Sequence, residues 1–406
     1  MNAATLSSII HTVNTPLNLT LPDPVAPIVI GMSGGVDSAV AAARLKAQGY
    51  NVLALFMKNW QDPDGSACSA EEDFAQVEKV CAQLKLTYYA VEFQREYWDH
   101  VFTHFLREYE QGYTPNPDIL CNREIKFKYF WQKALALGGM VATGHYAQTK
   151  SFDGETALLK GADPGKDQSY FLYTLKSDIL QKVCFPVGDL LKSEVRRYAQ
   201  ELNLSNAARK DSTGICFIGE RNFQKFLANY LKAAPGKIVE LESGKILGRH
   251  QGIFNYTLGQ RKGLGLGGQG EPWFVVDKDP VAKTVFVARG IYHPALFCDY
   301  LTANELTWVR NIPPPVGQPL TAKIRYRQKD QACIIREIRD GVATVDFAVP
   351  QRAATPRQSI VFYAGEECLG GGMIIAPGPS YYGQKKPLPD VVKINSSPDA
   401  GGICKL

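Results

Sequence analysis

The segment from Gly31 to Ser38 (GMSGGVDS) places glycines and hydroxyl side chains between an apolar run and a helical pattern. Gly34 and Gly35 can take backbone dihedrals that other residues avoid, so their N–H groups can converge on an anion. The following helix directs the positive end of its dipole toward the same point, and Ser33 adds a hydroxyl donor. The segment therefore predicts a phosphate-binding loop.

The loop lacks the lysine of the GxxxxGK[ST] motif, which grips a γ-phosphate. Residues 33–38 instead resemble the SGGxDS signature of the PP-loop ATP pyrophosphatases. That resemblance implies cleavage between the α- and β-phosphates of ATP, with AMP passed to the substrate. An ordinary glycine-rich turn is the alternative, which the agreement of strand, turn and helix disfavours. The predicted nucleotide-binding residues of the loop are Gly31, Met32, Ser33, Gly34, Gly35, Val36, Asp37 and Ser38.

A cysteine with polar neighbours lies in NPDILCNREIKF (116–127). The spacing predicts a helix that starts just after Cys121, and the helix dipole, with Arg123 and Lys126, would lower the pKa of its thiol. Asp118 is placed to act as a general acid or base, and a helix-capping role explains it equally well.

A second cysteine, Cys216, lies in the glycine-containing segment DSTGICFIG (211–219). Two cysteines in such segments could meet at one pocket and exchange sulfur, one carrying a persulfide and the other resolving it by forming a disulfide. Taken alone, a lone cysteine is more often buried and inert. The remaining seven are interpreted as packing or surface thiols: Cys68, Cys81, Cys184, Cys298, Cys333, Cys368 and Cys404.

The first half of the chain alternates strands with helices, which predicts a doubly wound α/β fold. Ligands bind at the carboxyl ends of the strands in such sheets, where the 33–38 loop, Met57 and Gly144-His145 would meet. Met57 and Gly144 therefore join the predicted nucleotide site.

From about residue 236 to 375, short strands separated by glycine and proline turns predict a barrel-like, β-rich region. Two basic clusters here offer phosphate contacts with a stacking aromatic, and each could equally be a solvated strand face. They are Arg261 with Lys262, and Lys323, Arg325, Arg327 and Lys329 beside Tyr326.

The 406 residues are 45% hydrophobic and 21% charged, typical of a multidomain globular enzyme. The net charge of +5 permits a polyanionic partner without requiring one. No apolar run is long enough to span a membrane and the leader lacks targeting features, so a cytoplasmic location without membrane contact is predicted. No metal-ligating residues are predicted, because His100 and His104 lack a third ligand with suitable spacing.

Eight motifs occur in order along the chain: GMSGGVDS (31–38), LFMKNW (55–60), NPDILCNREIKF (116–127), ATGHYA (142–147), KDQSYFLY (166–173), DSTGICFIG (211–219), YTLGQRKGLG (256–265) and TPRQSIVFY (355–363). Together they resemble the tRNA-specific 2-thiouridylase family over residues 27–376. We therefore expect a PP-loop ATP pyrophosphatase domain over 25–220, a small central domain over 221–292 and a C-terminal β-barrel domain over 293–376. A flexible leader (1–24) and a disordered tail (377–406) would flank them.

The resemblance implies that the enzyme adenylates O2 of the wobble uridine at position 34 of tRNA, using ATP and Mg²⁺. A persulfide on Cys216 would then attack C2, directly or after transfer, while Cys121 breaks the S–S bond and leaves a Cys121–Cys216 disulfide. The implied partners are the tRNAs for Lys, Glu and Gln and a persulfide donor such as a cysteine desulfurase or relay protein. The implied substrate contacts are Asn116, Pro117, Asp118, His145, Lys166, Asp167, Gln168, Arg325, Tyr326 and Gln358.

Arg357 departs from the family pattern, which reads TPGQ where this chain has TPRQ. Arginine disfavours a positive φ, so the turn is expected to adopt another shape, which bears on the placement of Gln358.

Two other functions fit part of the sequence. Another PP-loop ligase, of the amidating or argininosuccinate type, would adenylate a small molecule and need neither cysteine. A non-catalytic RNA-binding protein would hold ATP only as a structural ligand.

Overall fold

The computed structural model describes residues 17, 26–60, 69–211, 216, 223–232 and 234–395. The α-helices are Val36–Ala47, Ser69–Leu84, Gln94–Tyr97, Thr103–Glu110, Pro117–Leu120, Trp131–Leu137, Ser169–Leu172, Ser177–Leu180, Lys192–Glu201, Phe223–Ala228 and Asp390–Asn395; Trp98–Phe102 and Cys121–Phe130 are π-helical, and Ile253–Asn255 and Pro294–Leu296 are 3₁₀. None of the helices in these ranges is long and apolar enough to cross a bilayer.

The strands are β1 Ile28–Met32, β2 Val52–Lys58, β3 Thr87–Glu92, β4 Met140–Ala142, β5 Ala147–Phe152, β6 Glu155–Lys160, β7 Val183–Cys184, β8 Gly236–Glu240, β9 Ile246–His250, β10 Trp273–Asp279, β11 Thr284–Arg289, β12 Phe297–Trp308, β13 Pro319–Lys323, β14 Gln331–Arg339, β15 Val342–Arg352, β16 Ser359–Ala364 and β17 Glu367–Pro377.

The first domain is built on a parallel sheet in the order β3-β2-β1-β4-β7. Alternate residues of β1 enter different cores: Ile28 and Ile30 pack with the helix Val36–Ala47, and Val29 packs with Phe130. Helices therefore cover both faces of the sheet, and the predicted doubly wound α/β fold is confirmed. Because the strands are parallel, the loops after their carboxyl ends lie along one edge.

Two β domains follow, as predicted. The central domain contains a sheet in the order β10-β11-β8-β9 around a small apolar core. The C-terminal domain is an antiparallel barrel in the order β12-β15-β14-β13-β16-β17, which closes where β12 pairs with β17. Leu301, Val345 and Ile360 are among the side chains that fill its interior.

The first domain also contributes two strands to the barrel sheet. The β5–β6 hairpin pairs with β17, where Leu158 lies opposite Cys368 and Leu159 opposite Glu367. This pairing holds the catalytic domain against the barrel through backbone hydrogen bonds as well as side chains.

The predicted disorder of the C-terminal tail is wrong over residues 377–395. Tyr381 is buried and its hydroxyl donates a hydrogen bond to Asp299, and Val392 of the helix Asp390–Asn395 is buried in the same cluster. These apolar anchors outweigh the high proline and glycine content on which the prediction relied. The last residues, 396–406, lie outside the described part of the chain, as does the predicted leader apart from Leu17.

Candidate active site: a phosphate-binding loop and a cysteine pair

The predicted phosphate-binding loop follows β1 directly. Gly34 adopts a φ of +75°, and Gly35 is the N-cap of the helix Val36–Ala47. The Ser33 N–H donates to Ser38 Oγ at 3.2 Å, and the Ser33 side chain remains exposed at the mouth of the loop. The loop is therefore preorganised around the helix N-terminus, where an anion binds favourably.

Other elements fix the back of the loop. The Asn206 side-chain amide donates to the carbonyls of Gly34 and Gly35 at 3.0 Å each, and Arg209 donates to the Gly34 carbonyl at 3.2 Å. A Cβ on Gly144 would lie 2.8 Å from the Ser38 nitrogen, so the loop that follows β4 packs against the phosphate-binding loop as predicted. Met57 lies near the carboxyl end of the neighbouring strand β2.

A cluster of charged side chains lies beside the loop; Asp37 and Lys166 were predicted as site residues from the sequence, whereas Lys192, Arg196 and Asp211 were not. Lys192 Nζ lies 2.6 Å from Asp37 Oδ1 and 2.8 Å from Asp211 Oδ1, and Lys166 Nζ lies 2.6 Å from Asp211 Oδ2. Arg196 also pairs with Asp211. Burial alone would raise the pKa of Asp211, but the hydrogen bonds from Lys166 and Lys192 hold it well below its usual range. The cluster places two lysines and an arginine beside a phosphate-binding loop.

One sequence signal could have identified Lys192. It is the first residue of the helix Lys192–Glu201, where a cation opposes the helix dipole. A lysine in that position points to a partner elsewhere, which here is the pair of carboxylates.

The structure brings the two predicted cysteines together as reduced thiols. Their side chains are hydrogen-bonded to each other, and the Lys126 ammonium is hydrogen-bonded to Cys216. Asp118 Oδ1 accepts the Cys216 N–H at 3.1 Å, and the Tyr97 hydroxyl donates to the Cys216 carbonyl at 2.9 Å. Cys121 is completely buried, whereas Cys216 is partly exposed.

The two thiols differ in acidity, and the prediction that the helix dipole and its neighbouring cations lower the pKa of the Cys121 thiol is wrong. The hydrogen bond from Cys121, together with the charge of Lys126, lowers the pKa of Cys216. Burial raises the pKa of Cys121 well above its usual range. Burial alone would lower the pKa of Lys126, but the neighbouring thiols and Asp118 raise it, so this lysine stays protonated.

The error arose from the start of the helix. Asn116 is the N-cap and accepts the Asp118 N–H at 3.2 Å, and Pro117 occupies the first helical position. Proline is favoured there, because the N–H that it lacks would have no partner within the first turn. Cys121 therefore lies beyond the first turn and away from the dipole. Arg123 contacts Glu124 and Glu305 instead of the thiols, leaving Lys126 as the cation that acts on the pair.

Asp118 does not cap its own helix, because Asn116 does. Burial raises the pKa of the Asp118 carboxyl, although the Cys216 N–H opposes this shift. A carboxyl group with a raised pKa beside two thiols is suited to exchange protons with them.

Of the predicted substrate contacts near the sheet edge, His145 and Gln168 bond within the catalytic domain, and Asp167 bonds to the barrel. His145 Nδ1 lies 2.8 Å from Thr143 Oγ1, and burial lowers the ring's pKa well below its usual range, so His145 is neutral. Gln168 accepts the Tyr146 N–H at 2.9 Å. Asp167 is only 3% exposed and pairs with Lys323 of the barrel at 3.1 Å. This buried ion pair joins the catalytic domain to the barrel, and the substrate contact of Asp167 stays a prediction.

The predicted contacts of the barrel lie at domain junctions. Arg325 donates to the carbonyls of Leu258 and Ala353, and the Tyr326 hydroxyl donates to the Lys166 carbonyl at 3.2 Å. Strand β13 ends at Lys323, so Arg325 and Tyr326 lie in the turn that follows it. Of the predicted basic cluster in this turn, Arg327 and Lys329 are exposed.

The expectation that Arg357 gives this turn another shape is wrong. It adopts a φ of +70°, so the left-handed conformation is present despite the side chain. The neighbouring Gln358 donates its side-chain N–H to the Thr114 carbonyl at 2.6 Å.

Comparison with known proteins agrees with this architecture. Family models described as "tRNA methyl transferase HUP domain", "tRNA methyl transferase PRC-barrel domain" and "Aminomethyltransferase beta-barrel domain" match residues 26–220, 224–289 and 298–374. The tRNA-specific 2-thiouridylase of Protochlamydia amoebophila is 55% identical over 365 residues, which are 89% of this chain and 96% of that protein. The chain belongs to the tRNA-specific 2-thiouridylase family.

Further members of the 2-thiouridylase family agree closely. The proteins of Geobacillus thermodenitrificans and Shouchella clausii are each 53% identical over 349 residues, covering 86% of this chain and 94% and 96% of theirs. The predicted family and the predicted enzyme class, a tRNA sulfurtransferase, are confirmed. Cys121, Cys216 and the 31–38 loop keep their predicted roles as proposals.

Proposed function

We propose that this 2-thiouridylase adenylates O2 of the wobble uridine at position 34 of tRNA and replaces that oxygen with sulfur from a persulfide on Cys216. The observation that carries the proposal is the cysteine pair itself. A partly exposed thiol with a lowered pKa lies in hydrogen-bonding contact with a buried thiol, beside a lysine and a carboxyl group. A ligase that only adenylates its substrate needs no such pair.

ATP fits the loop at residues 33–38. The convergent N–H groups would hold its phosphates, and Lys166 and Lys192 would exchange their contacts with Asp211 for the pyrophosphate that departs. Within the described ranges no three His, Cys, Asp or Glu side chains cluster to hold a metal. Mg²⁺ would therefore be held mainly by the phosphates, with Asp37 as the nearest carboxylate of the loop, and would neutralise charge on the leaving group.

The sulfur chemistry assigns a different role to each thiol. The Cys216 thiolate takes the outer sulfur of a donor persulfide and releases the donor's thiolate, which leaves Cys216–S–SH. The terminal sulfur attacks C2 as AMP departs. Cys121, after losing its proton, attacks the Cys216 sulfur, which leaves the 2-thiouridine and a Cys121–Cys216 disulfide. A two-electron reductant then restores both thiols, and Asp118 would accept and return the protons.

The direct route has one alternative. Cys121 could attack the persulfide first and release hydrosulfide, which would then attack C2. Both routes end in the same disulfide, and both need Cys216 to receive the sulfur. The exposure of Cys216 and the complete burial of Cys121 support Cys216 as the acceptor, because an external donor must reach it.

The partners follow from the same chemistry. We propose a persulfide-bearing protein, such as a cysteine desulfurase or a relay protein, as the donor. The substrates would be the tRNAs for Lys, Glu and Gln. Arg327 and Lys329 of the barrel are exposed and available to phosphates, and the N–H of Gln358 would have to leave Thr114 to contact RNA.

The test is to replace each cysteine and measure 2-thiouridine at position 34. Cys216→Ala and Cys121→Ala should each abolish the modified nucleoside, detected by mass spectrometry of tRNA from a strain lacking the wild-type protein. Both variants should still release pyrophosphate with tRNA and ATP, because adenylation does not use the thiols. Cys184→Ala, which removes a buried thiol away from the pair, is the control and should retain full modification. Unchanged 2-thiouridine in either active-site variant would refute the proposal.

A further inference from the structure

Arg357 adopts a backbone conformation that arginine avoids. Its φ of +70° lies in the left-handed region, where a non-glycine residue persists only if its surroundings hold it. The side chain supplies that support: Nε lies 2.9 Å from Glu108 Oε2, and the guanidinium lies 4.9 Å from the centre of the Tyr113 ring. Glu108 is only 7% exposed, whereas the Arg357 side chain is 28% exposed, so the carboxylate end of this ion pair is shielded from water.

Both partners belong to the catalytic domain, although Arg357 belongs to the barrel. Residues 108–114, here called the 108–114 segment, run from the end of the helix Thr103–Glu110 toward Asn116. The central domain holds the same segment, because Lys278 Nζ donates to the Gly112 carbonyl at 2.5 Å and to the Tyr256 carbonyl at 2.6 Å.

The end of the segment is held in the same way. The Thr114 carbonyl accepts the Gln358 amide at 2.6 Å, and the Thr114 and Thr257 hydroxyls lie 3.2 Å apart. Contacts from both β domains therefore converge on a stretch of seven residues that contains none of the reacting groups.

The alignment of the two thiols depends on the position of the last residues of this segment. Two residues after Thr114, Asn116 caps the helix that carries Asp118 and leads into Cys121. Asp118 in turn holds the Cys216 N–H at 3.1 Å. Because the chain is continuous, a shift of the segment moves the cap and with it the alignment of the two thiols, and small misalignments slow a reaction strongly.

We propose that Arg357 is a positioning residue for sulfur transfer, which fixes the 108–114 segment from the barrel while Lys278 fixes it from the central domain. The thiols are then aligned when all three domains are docked. This inference rests on the proposed function, since it concerns the reaction of Cys121 with Cys216.

The test uses Arg357→Gly in the full-length protein. Glycine accepts the left-handed conformation without strain, so only the side-chain contacts are lost. We expect kcat for 2-thiouridine formation to fall about tenfold or more, since about 1 Å of misplacement can lower a rate by about 100-fold. The KM for ATP should be unchanged. The rate at which a mild oxidant joins Cys121 to Cys216, without tRNA or ATP, should fall in parallel.

Three further variants separate positioning from general stability. Arg336→Ala removes an exposed arginine of the barrel that pairs with Asp346, and should leave kcat and the oxidation rate unchanged. Arg357→Lys keeps a cation near Glu108 and should restore part of the lost rate. Glu108→Gln removes the charge of the partner and gives a second measurement if Arg357→Gly folds poorly; it should lower the oxidation rate in the same way.

The inference is overturned if kcat and the oxidation rate of Arg357→Gly and Glu108→Gln stay within about twofold of the wild-type values. Loss of the ion pair is expected to lower both rates by more than that. It is also overturned if Arg336→Ala lowers both as much as Arg357→Gly does. Failure of the proposed function is a separate outcome, because it would appear as 2-thiouridine formation retained in Cys121→Ala or Cys216→Ala.

Discussion

At the scale of single residues, the reactivity of the cysteine pair depends on the side chains around the two thiols. The thiol with the lowered pKa is the partly exposed one, and the thiol with the raised pKa is completely buried. An incoming donor therefore meets a thiolate, while the resolving thiol stays protonated and protected until the persulfide has reacted. Lys126 is the cation that acts directly on Cys216.

Replacing Lys126 tests this assignment. In Lys126→Met the pKa of Cys216 should rise, since the nearby cation is lost. A rise of one unit lowers the thiolate fraction at neutral pH about tenfold, and the rate of alkylation by iodoacetamide should fall by about that factor. In the wild type, Cys216 should already be alkylated at a pH lower than the pH at which an ordinary cysteine thiol begins to react. Cys121 should remain unmodified.

Lys128→Met is the matched control for this measurement. Lys128 lies two residues further along and pairs with Glu124 at 2.8 Å, so its loss should not alter the alkylation of Cys216. Equal alkylation of Cys216 across pH in Lys126→Met and the wild type would show that Lys126 does not control the thiolate.

At the scale of elements, the phosphate-binding loop was predictable because strand, turn and helix are contiguous in the sequence. The helix leading into Cys121 was predicted to start too late, because Asn116 caps it and Pro117 occupies its first position. The meeting of Cys121 with Cys216 was only a possibility, because nothing local connects residues so far apart. The pairing of Lys192 with Asp211 could not be predicted for the same reason, because the two residues lie on separate segments.

The conformation of the phosphate-binding loop gives a prediction at this scale. In Gly34→Ala the added Cβ would lie 2.7 Å from the Asp73 carbonyl in a left-handed residue, so the loop must shift. We expect the Kd for ATP to rise at least about tenfold, since the N–H groups that hold the phosphates move with the backbone. Isothermal titration calorimetry measures this directly.

Gly49→Ala provides the control for Gly34→Ala. Gly49 has a φ of +85°, and a Cβ there would meet no atom within 4 Å. The variant should lose about 1 kcal/mol of stability from the strained conformation and keep its affinity for ATP. If both alanine variants bind ATP as the wild type does, the conformation of Gly34 is not required for the nucleotide.

At the scale of the whole molecule, the docking of the catalytic domain on the barrel could not be derived from the sequence. The β5–β6 hairpin extends the barrel sheet across a separation of about two hundred residues, and no local pattern reports such pairing. Asp167 and Lys323 were predicted from their motifs to contact substrate or phosphate. The same charged residue types serve equally well to bind a partner and to join two domains, so only burial distinguishes the roles.

The Asp167–Lys323 pair gives a prediction about this docking. Lys323 is 7% exposed, and Asp167 also accepts the N–H groups of Gly161 and Ser169, so the carboxylate cannot turn toward water when Lys323 is lost. Lys323→Met should lower the free energy of unfolding by about 3–5 kcal/mol, the range for removing one partner of a buried ion pair. Urea denaturation followed by tryptophan fluorescence measures the change.

The exposed Lys329, which lies beyond the end of strand β13, provides the control. Lys329→Met should change the free energy of unfolding by no more than about 0.5 kcal/mol, as expected for a surface position. The double variant Lys323→Met with Asp167→Asn should recover part of the loss, because no unpaired charge then remains at the junction. If Lys323→Met is as stable as Lys329→Met, this ion pair does not hold the domains together, and the β5–β6 hairpin and the packed tyrosine Tyr326 must account for the docking instead.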